Sequence, residues 1–466
     1  MNRGRLFFGL AFALRLSAQG AGTDCSYQAA PDKFLSGVAR AQQSVAENLR
    51  RVRPRALDGV AQANQVPGGI PARNFVDEMI FARLTEKRVA AARMSTDEEF
   101  VRRIYLDLTG RIPTAAQARE FLASEEPNKR DLLIDALLAS PEFTDKWVMF
   151  FGDLLGNASS NSYFNLQAQG RNAQYSWLKT NIQANLPIKD MVWQILTAKG
   201  NNFESGPANY ILRNSTPGGP AQDTYDTAAY RASRDFLGIG HMDCVLCHNG
   251  RNHLEQITLW GTRTNRVDAW RMAAFFSRQR NLAVTTDRTV PEINARNVTD
   301  VVAGQYDLNT TFGNRPNRVP IGTTRNITPE YRLGGTPTTA DWRAAFADFL
   351  IQDPMFAINF ANRIWKQYFN LALAEPVDQL DPLRLDLKNP PPAPWTFQAS
   401  NPELLDRLAK EFAASNFNLR AFVRLLVTSN AYQLSAEYDG DYKAEWIPLF
   451  ARHYPRRLEG EEVHDA

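Results

Sequence analysis

Cys244-Val245-Leu246-Cys247-His248 constrains this chain more than any other stretch of it. The pattern is C-x-x-C-H, the attachment pattern of a c-type haem. The chemistry sets the spacing. Two thiols add to the two vinyl groups of a porphyrin as thioethers, and the next residue offers an imidazole nitrogen to the iron. The chain has three Cys and five His in 466 residues. At those frequencies a chance match is expected about 10⁻⁴ times per chain.

Three other readings fit the same residues. They are a C-x-x-C disulfide, a Cys₂His₂ zinc site completed by His248 and His253, and a pair of buried small side chains. The zinc reading fits poorly. That pattern places a loop of about twelve residues between its Cys pair and its His pair, and here His248 follows Cys247 directly.

The compartment bears on the choice. Met1-Asn2-Arg3-Gly4-Arg5 is basic, Leu6 to Leu14 is apolar, and Ser17 to Gly22 is small-residue sequence. This order predicts a secretory signal over residues 1–22 and a periplasmic or secreted protein. The apolar core is too short to span a bilayer, and no later segment approaches 18 apolar residues, so no transmembrane span is expected. Export suits haem attachment and would equally permit a disulfide. Cys25 follows Asp24 and reads as a free thiol in the tail rather than a lipid-anchor cysteine. The 53 Lys and Arg nearly balance 50 Asp and Glu. The short run Arg50, Arg51, Arg53, Arg55 reads as a solvated helix end, so no nucleic-acid partner is expected.

Apolar periodicity predicts a mainly α-helical protein. Residues 23–74 form an N-terminal linker or helical segment. Two helical domains follow, at 75–284 and 337–466, joined by an irregular connector over 285–336. The connector has room for a β-hairpin around Gly313-Asn314-Arg315-Pro316. Capping boxes are expected at Ser95-Thr96-Asp97-Glu98 and Thr114-Ala115-Ala116-Gln117. The stripe Val101, Ile104, Tyr105, Leu108 ends at Gly110, where a left-handed residue is needed. Ser140-Pro141, Asp353-Pro354 and Asn401-Pro402 each read as a helix start. Leu458 to Ala466 looks like the first turns of a helix with no stop signal, so the second domain is expected to be truncated.

Several segments, in this order, resemble a bacterial pair of families. The first is the planctomycete-type cytochrome-c-like domain of unknown function, and the second is the domain of unknown function that commonly follows it. The resemblance rests on Phe75-Val76-Asp77, on Arg103 to Thr114, on Leu137 to Phe143 with Trp147, on Phe236-Leu237-Gly238 and on Ala273 to Phe276. In the second domain it rests on Asn362-Arg363-Ile364-Trp365, Glu375 to Asp378, Asn401 to Leu405 and Thr428 to Tyr432. The family pattern continues C-x-x-C-H with an acidic residue, His and Pro; Asn249 to His253 departs from it. The resemblance implies an exported, haem-binding, redox-type protein.

The site expectations follow. One covalent haem c is held by Cys244, Cys247 and His248, with His248 as the proximal iron ligand. His453, remote in sequence, is the expected sixth ligand; His253, His241 and Met272 are weaker candidates. No phosphate loop or nucleophile elbow is present. Asp107, Glu375 and Asp378 are candidate carboxylates that nothing in the sequence brings together. Asn362 and Arg363 read as a buried pair tying helix to loop. The expected function is periplasmic electron transfer with an unidentified redox partner. The alternatives are a scaffold with a Cys244–Cys247 disulfide, and a haem- or metal-dependent enzyme linked to polysaccharide breakdown.

Overall fold

The structure, a computed structural model, describes residues 30–51, 69–160, 166–285 and 294–465. The expected signal segment, Cys25, Arg53 and Arg55 lie outside the described residues.

Local sequence sets most helix ends. Thr114 and Gln117 form a complete capping box on the Ala115–Ala123 helix. Ser140, Asp353 and Asn401 cap the helices Pro141–Leu155, Pro354–Phe369 and Pro402–Ala414, each opening on proline. Gly110 and Gly238 end their helices at φ 72° and 73°. The box expected at Ser95 is shifted by one residue, because Thr96 caps the Asp97–Thr109 helix through the Glu99 N–H. The Glu99 carboxylate does not close that box. Arg103, the Ser435 hydroxyl and the Ala436 N–H bind it instead.

The protein is mainly α-helical, with two helical stretches either side of a strand-bearing connector. One hydrophobic cluster takes side chains from both stretches. Phe151 meets Phe360 across them, with ring centroids 6.4 Å apart. Polar ties cross as well. Arg103 Nη1 donates to the carbonyls of Tyr432 and Leu434 at 2.9 and 2.8 Å. The Tyr432 hydroxyl donates to Asp107 at 2.8 Å.

Strands β1 (Gly200–Asn201), β2 (Gln279–Thr285) and β3 (Asn294–Asp300) form an antiparallel sheet in the order β1-β3-β2. Strands β4 (Tyr306–Asp307) and β5 (Asn326–Ile327) pair next. Between these two, Thr310 and Arg318 exchange backbone bonds of 3.1 and 2.9 Å, closing the hairpin expected around Gly313 to Pro316.

That hairpin is fastened by a charge cluster. Arg318, Asp223 and Asp226 are each 0% exposed. Arg318 Nη2 reaches Asp223 at 2.6 Å and Asp226 at 2.7 Å. Its Nε donates to the Tyr306 hydroxyl and its Nη1 to the Thr310 hydroxyl. Both carboxylates come from the Ala221–Leu237 helix, which leads into the C-x-x-C-H motif. No helix among the described residues is long and apolar enough to cross a membrane.

Candidate functional site

Two glycines bring the motif into place. The Ala221–Leu237 helix stops at Gly238, and the Gly240 N–H then bonds to the Asp378 carbonyl at 2.9 Å. A Cβ on Gly240 would lie 2.3 Å from that oxygen, so only glycine allows the approach. The chain then forms the short helix Met242–Val245. The N–H groups of Cys247 and His248 both bond to the Cys244 carbonyl, at 3.0 and 3.2 Å. Val245 and Leu246 are 0% exposed, which anchors the turn. Cys244, Cys247 and His248 are half-buried. Beyond the motif, Gly250 packs so closely on the Gly261 carbonyl that a Cβ would meet it at 1.6 Å. Asp381 accepts from the N–H of Leu259 and the hydroxyl of Thr258, fixing the next turn.

Arginines hold the motif from outside. Arg315, carried on the hairpin, donates to Asp243 Oδ1 at 2.6 Å and to Cys247 Sγ at 3.3 Å. Arg266 donates to the Leu246 carbonyl at 2.9 Å and lies over the Trp270 ring at 4.5 Å. His248 Nδ1 faces the Asn249 carbonyl at 2.8 Å. The rings of His248 and His253 are in contact, with centroids 4.5 Å apart. That contact leaves no room for an iron between them. No disulfide joins Cys244 and Cys247. Among the described residues no group of three or more His, Cys, Asp or Glu is arranged to hold a metal ion.

The structure therefore brings Cys244, Cys247, His248 and His253 together, and places His453 among other neighbours. The His453 ring stands edge-on to Tyr432 at 5.8 Å, and the His453 backbone N–H bonds to the Ser435 carbonyl. Burial, then Arg103, Arg456 and Arg452, hold its pKa well below the usual range. His241, three residues before Cys244, is 4% exposed, and among the described residues neither ring nitrogen has a hydrogen-bond partner. Burial takes its pKa down to about 4, against a weaker opposing pull from Asp378.

These two histidines set a pH dependence. Unfolded, each would protonate near pH 6.5; folded, each resists protonation until lower pH. The depressed values therefore stabilise the fold above about pH 6.5, and that contribution is lost as pH falls towards 4. From His241 alone the loss between pH 7 and pH 5 is expected to be about 2 kcal/mol. Urea unfolding at the two pH values measures it. Equal stability at both would contradict the burial of an unprotonated His241.

The candidate carboxylates stay apart. Asp107 binds Tyr432, Glu375 binds Lys366, and Asp378 lies near His241. Asn362 ties its helix to a loop as expected, exchanging two bonds with the backbone of Ala374 at 2.7 and 3.0 Å. Met272 and Trp260 line a cavity of about 230 Å³ beside Met242. A second cavity, of about 290 Å³, lies where the two helical stretches meet, with Lys146, Trp147, Arg363 and Tyr368 in its wall. Burial lowers the Lys146 pKa there, although Asp107 opposes the shift. No spacing in the sequence signals this cavity, because its walls come from segments more than 200 residues apart.

No curated protein and no solved structure matches the chain. Two family descriptions do match. Residues 75–281 match PSCyt2, Protein of unknown function (DUF1549), and residues 342–466 match PSD1, Protein of unknown function (DUF1553). The first contains the C-x-x-C-H turn with Gly240 and Gly250; the second supplies Asp378 and Asp381 against it. The chain therefore belongs to this pair of families of unknown function, PSCyt2 followed by PSD1.

Proposed function

We propose that this protein is exported, carries one covalent c-type haem on Cys244, Cys247 and His248, and serves periplasmic electron transfer with a redox protein as partner. The observation that carries the reading is the 2.8 Å contact of His248 Nδ1 with the Asn249 carbonyl. A carbonyl oxygen only accepts, so Nδ1 is the donor, which in a neutral imidazole puts the lone pair on Nε2. Metal-ligating histidines are oriented in this way. The two thiols are not joined by a disulfide, are half-buried and lie one turn apart, as attachment to two vinyl groups requires. A haem bound here would supply one-electron transfer at its iron. Asn249 is a positioning residue in this reading, because its carbonyl fixes the tautomer of His248.

The test is expression in cells with a working haem-attachment system. Oxidised and reduced absorption spectra and a haem stain after denaturing electrophoresis then read the result. The stain is expected on the protein band, and is expected to vanish when Cys244→Ser and Cys247→Ser are combined. A colourless band from the parent chain would overturn the reading.

A further inference from the structure

Arg452 is a buried cation without an anion. The residue is 8% exposed, and among the described residues its guanidinium enters no ion pair. Its Nε is buried and has no hydrogen-bond partner. Buried charges are normally paired, and a guanidinium brings five donors that need acceptors. The Tyr442 ring lies under it, with the centroid 5.3 Å from the guanidinium carbon. The acids that act on Arg452 are Glu99 and Glu437, and both are engaged elsewhere. Arg103 holds Glu99 at 2.7 Å, and Arg93 holds Glu437 at 2.9 Å.

This guanidinium stands in the wall of a cavity of about 290 Å³. Leu49 and Arg50 line it from the end of the Gly37–Leu49 helix. Tyr438, Tyr442 and Ile447 line it from the segment that leads to Arg452. The two tyrosine rings pack edge to face, with centroids 5.0 Å apart. Their hydroxyl hydrogens are spent. Tyr438 donates to the Ala90 carbonyl at 3.0 Å, and Tyr442 donates to the Trp446 carbonyl at 3.1 Å. Arg50 adds an exposed positive charge and Asp441 an exposed negative one. The cavity thus combines apolar and aromatic surface with an unpaired, buried guanidinium.

We propose that this cavity binds a small organic carboxylate, its two oxygens on the Arg452 guanidinium and its apolar body against Leu49, Tyr442 and Ile447. The fork of donors on a guanidinium matches a carboxylate with two parallel bonds. Burial strengthens the match, because the cation has already lost its water. The body is apolar because the tyrosine hydroxyls have given their hydrogens to backbone carbonyls. The site is independent of the haem reading, since no residue of the C-x-x-C-H motif lines it.

Isothermal titration calorimetry of the full chain with benzoate tests this. Benzyl alcohol keeps the ring and lacks the charge; inorganic phosphate keeps the charge and lacks the ring. Benzoate is expected to bind about tenfold or more tighter than either. Arg452→Met keeps an apolar side chain in the wall and removes the fork, and is expected to weaken benzoate about tenfold or more. The thermal midpoint is expected to rise with benzoate in the parent chain and not in Arg452→Met. Should Arg452→Met fail to fold, the order of the three probes on the parent chain decides. No binding of benzoate, benzyl alcohol or phosphate binding as tightly as benzoate, or benzoate affinity unchanged in Arg452→Met would overturn the proposal.

Discussion

Arg318→Ala is expected to destabilise the protein by about 3–5 kcal/mol, the range for removing one partner of a buried ion pair. The mechanism is desolvation without compensation. Asp223 and Asp226 are both 0% exposed, and Arg318 is the guanidinium that meets them. Burial already pushes the Asp226 pKa up, against the pull of Arg318. With the cation gone, two carboxylates face each other in a dry site, and one must take a proton or the helix must open. The change also removes the donor that the Thr310 hydroxyl accepts from, and leaves the Tyr306 hydroxyl with its bond to Asp226 alone. Arg318→Lys keeps the charge and loses the fork, so it is expected to recover only part of the loss. Urea unfolding at pH 7 measures the series. A change below about 1 kcal/mol for Arg318→Ala would contradict this account. The effect is expected to reach the motif, because the same hairpin presents Arg315 to Asp243 and Cys247.

The second large effect is expected at Asp77. This carboxylate is 0% exposed and binds three backbone N–H groups. Oδ1 accepts from Ala431 at 2.7 Å, and Oδ2 accepts from Asn430 at 3.0 Å and Arg73 at 2.8 Å. It also stands in the first turn of the Phe75–Lys87 helix, where negative charge is favoured. Asp77→Ala strands two buried donors, those of Asn430 and Ala431, and one half-buried donor at Arg73. At about 1–3 kcal/mol for each buried donor before relaxation, a total of about 3–5 kcal/mol is expected. Asp77→Asn is informative because it preserves shape. Its amide nitrogen would replace one acceptor with a donor facing N–H groups, so most of the loss is expected to remain. Equal stability of Asp77→Asn and the parent would show that the contact between residues 77 and 430–431 contributes little.

These two sites show why part of the molecule was legible beforehand and part was not. Asp77 and the stretch Thr428 to Tyr432 were both visible as family-like segments, yet nothing in either indicated that they meet. The same holds for Arg318 and Asp223, which are 95 positions apart. The hairpin between them was foreseeable from Gly313 to Pro316, because turn chemistry is local. Its charge cluster was not. The cap sits at Thr96, one residue after the expected Ser95, and its box stays open because the Glu99 carboxylate is held by Ser435 and Ala436 in the second helical stretch. A tertiary partner outweighed a local one there.

The candidate site divides along the same line. The C-x-x-C-H spacing is local, and its two Cys and following His share one turn in the structure, as a short helix must arrange them. The scarcity of Cys, the basic and apolar N-terminus and the order of the family-like segments were also plain in the sequence. Only the tertiary structure decided that His253 rests against His248, that His453 lies among Tyr432, Ser435 and arginines, and that His241 is buried without a partner. The physical reason is range. Caps, turns and motif spacing are fixed by atoms within about four residues of one another, whereas burial and partnership depend on chain that returns from hundreds of residues away.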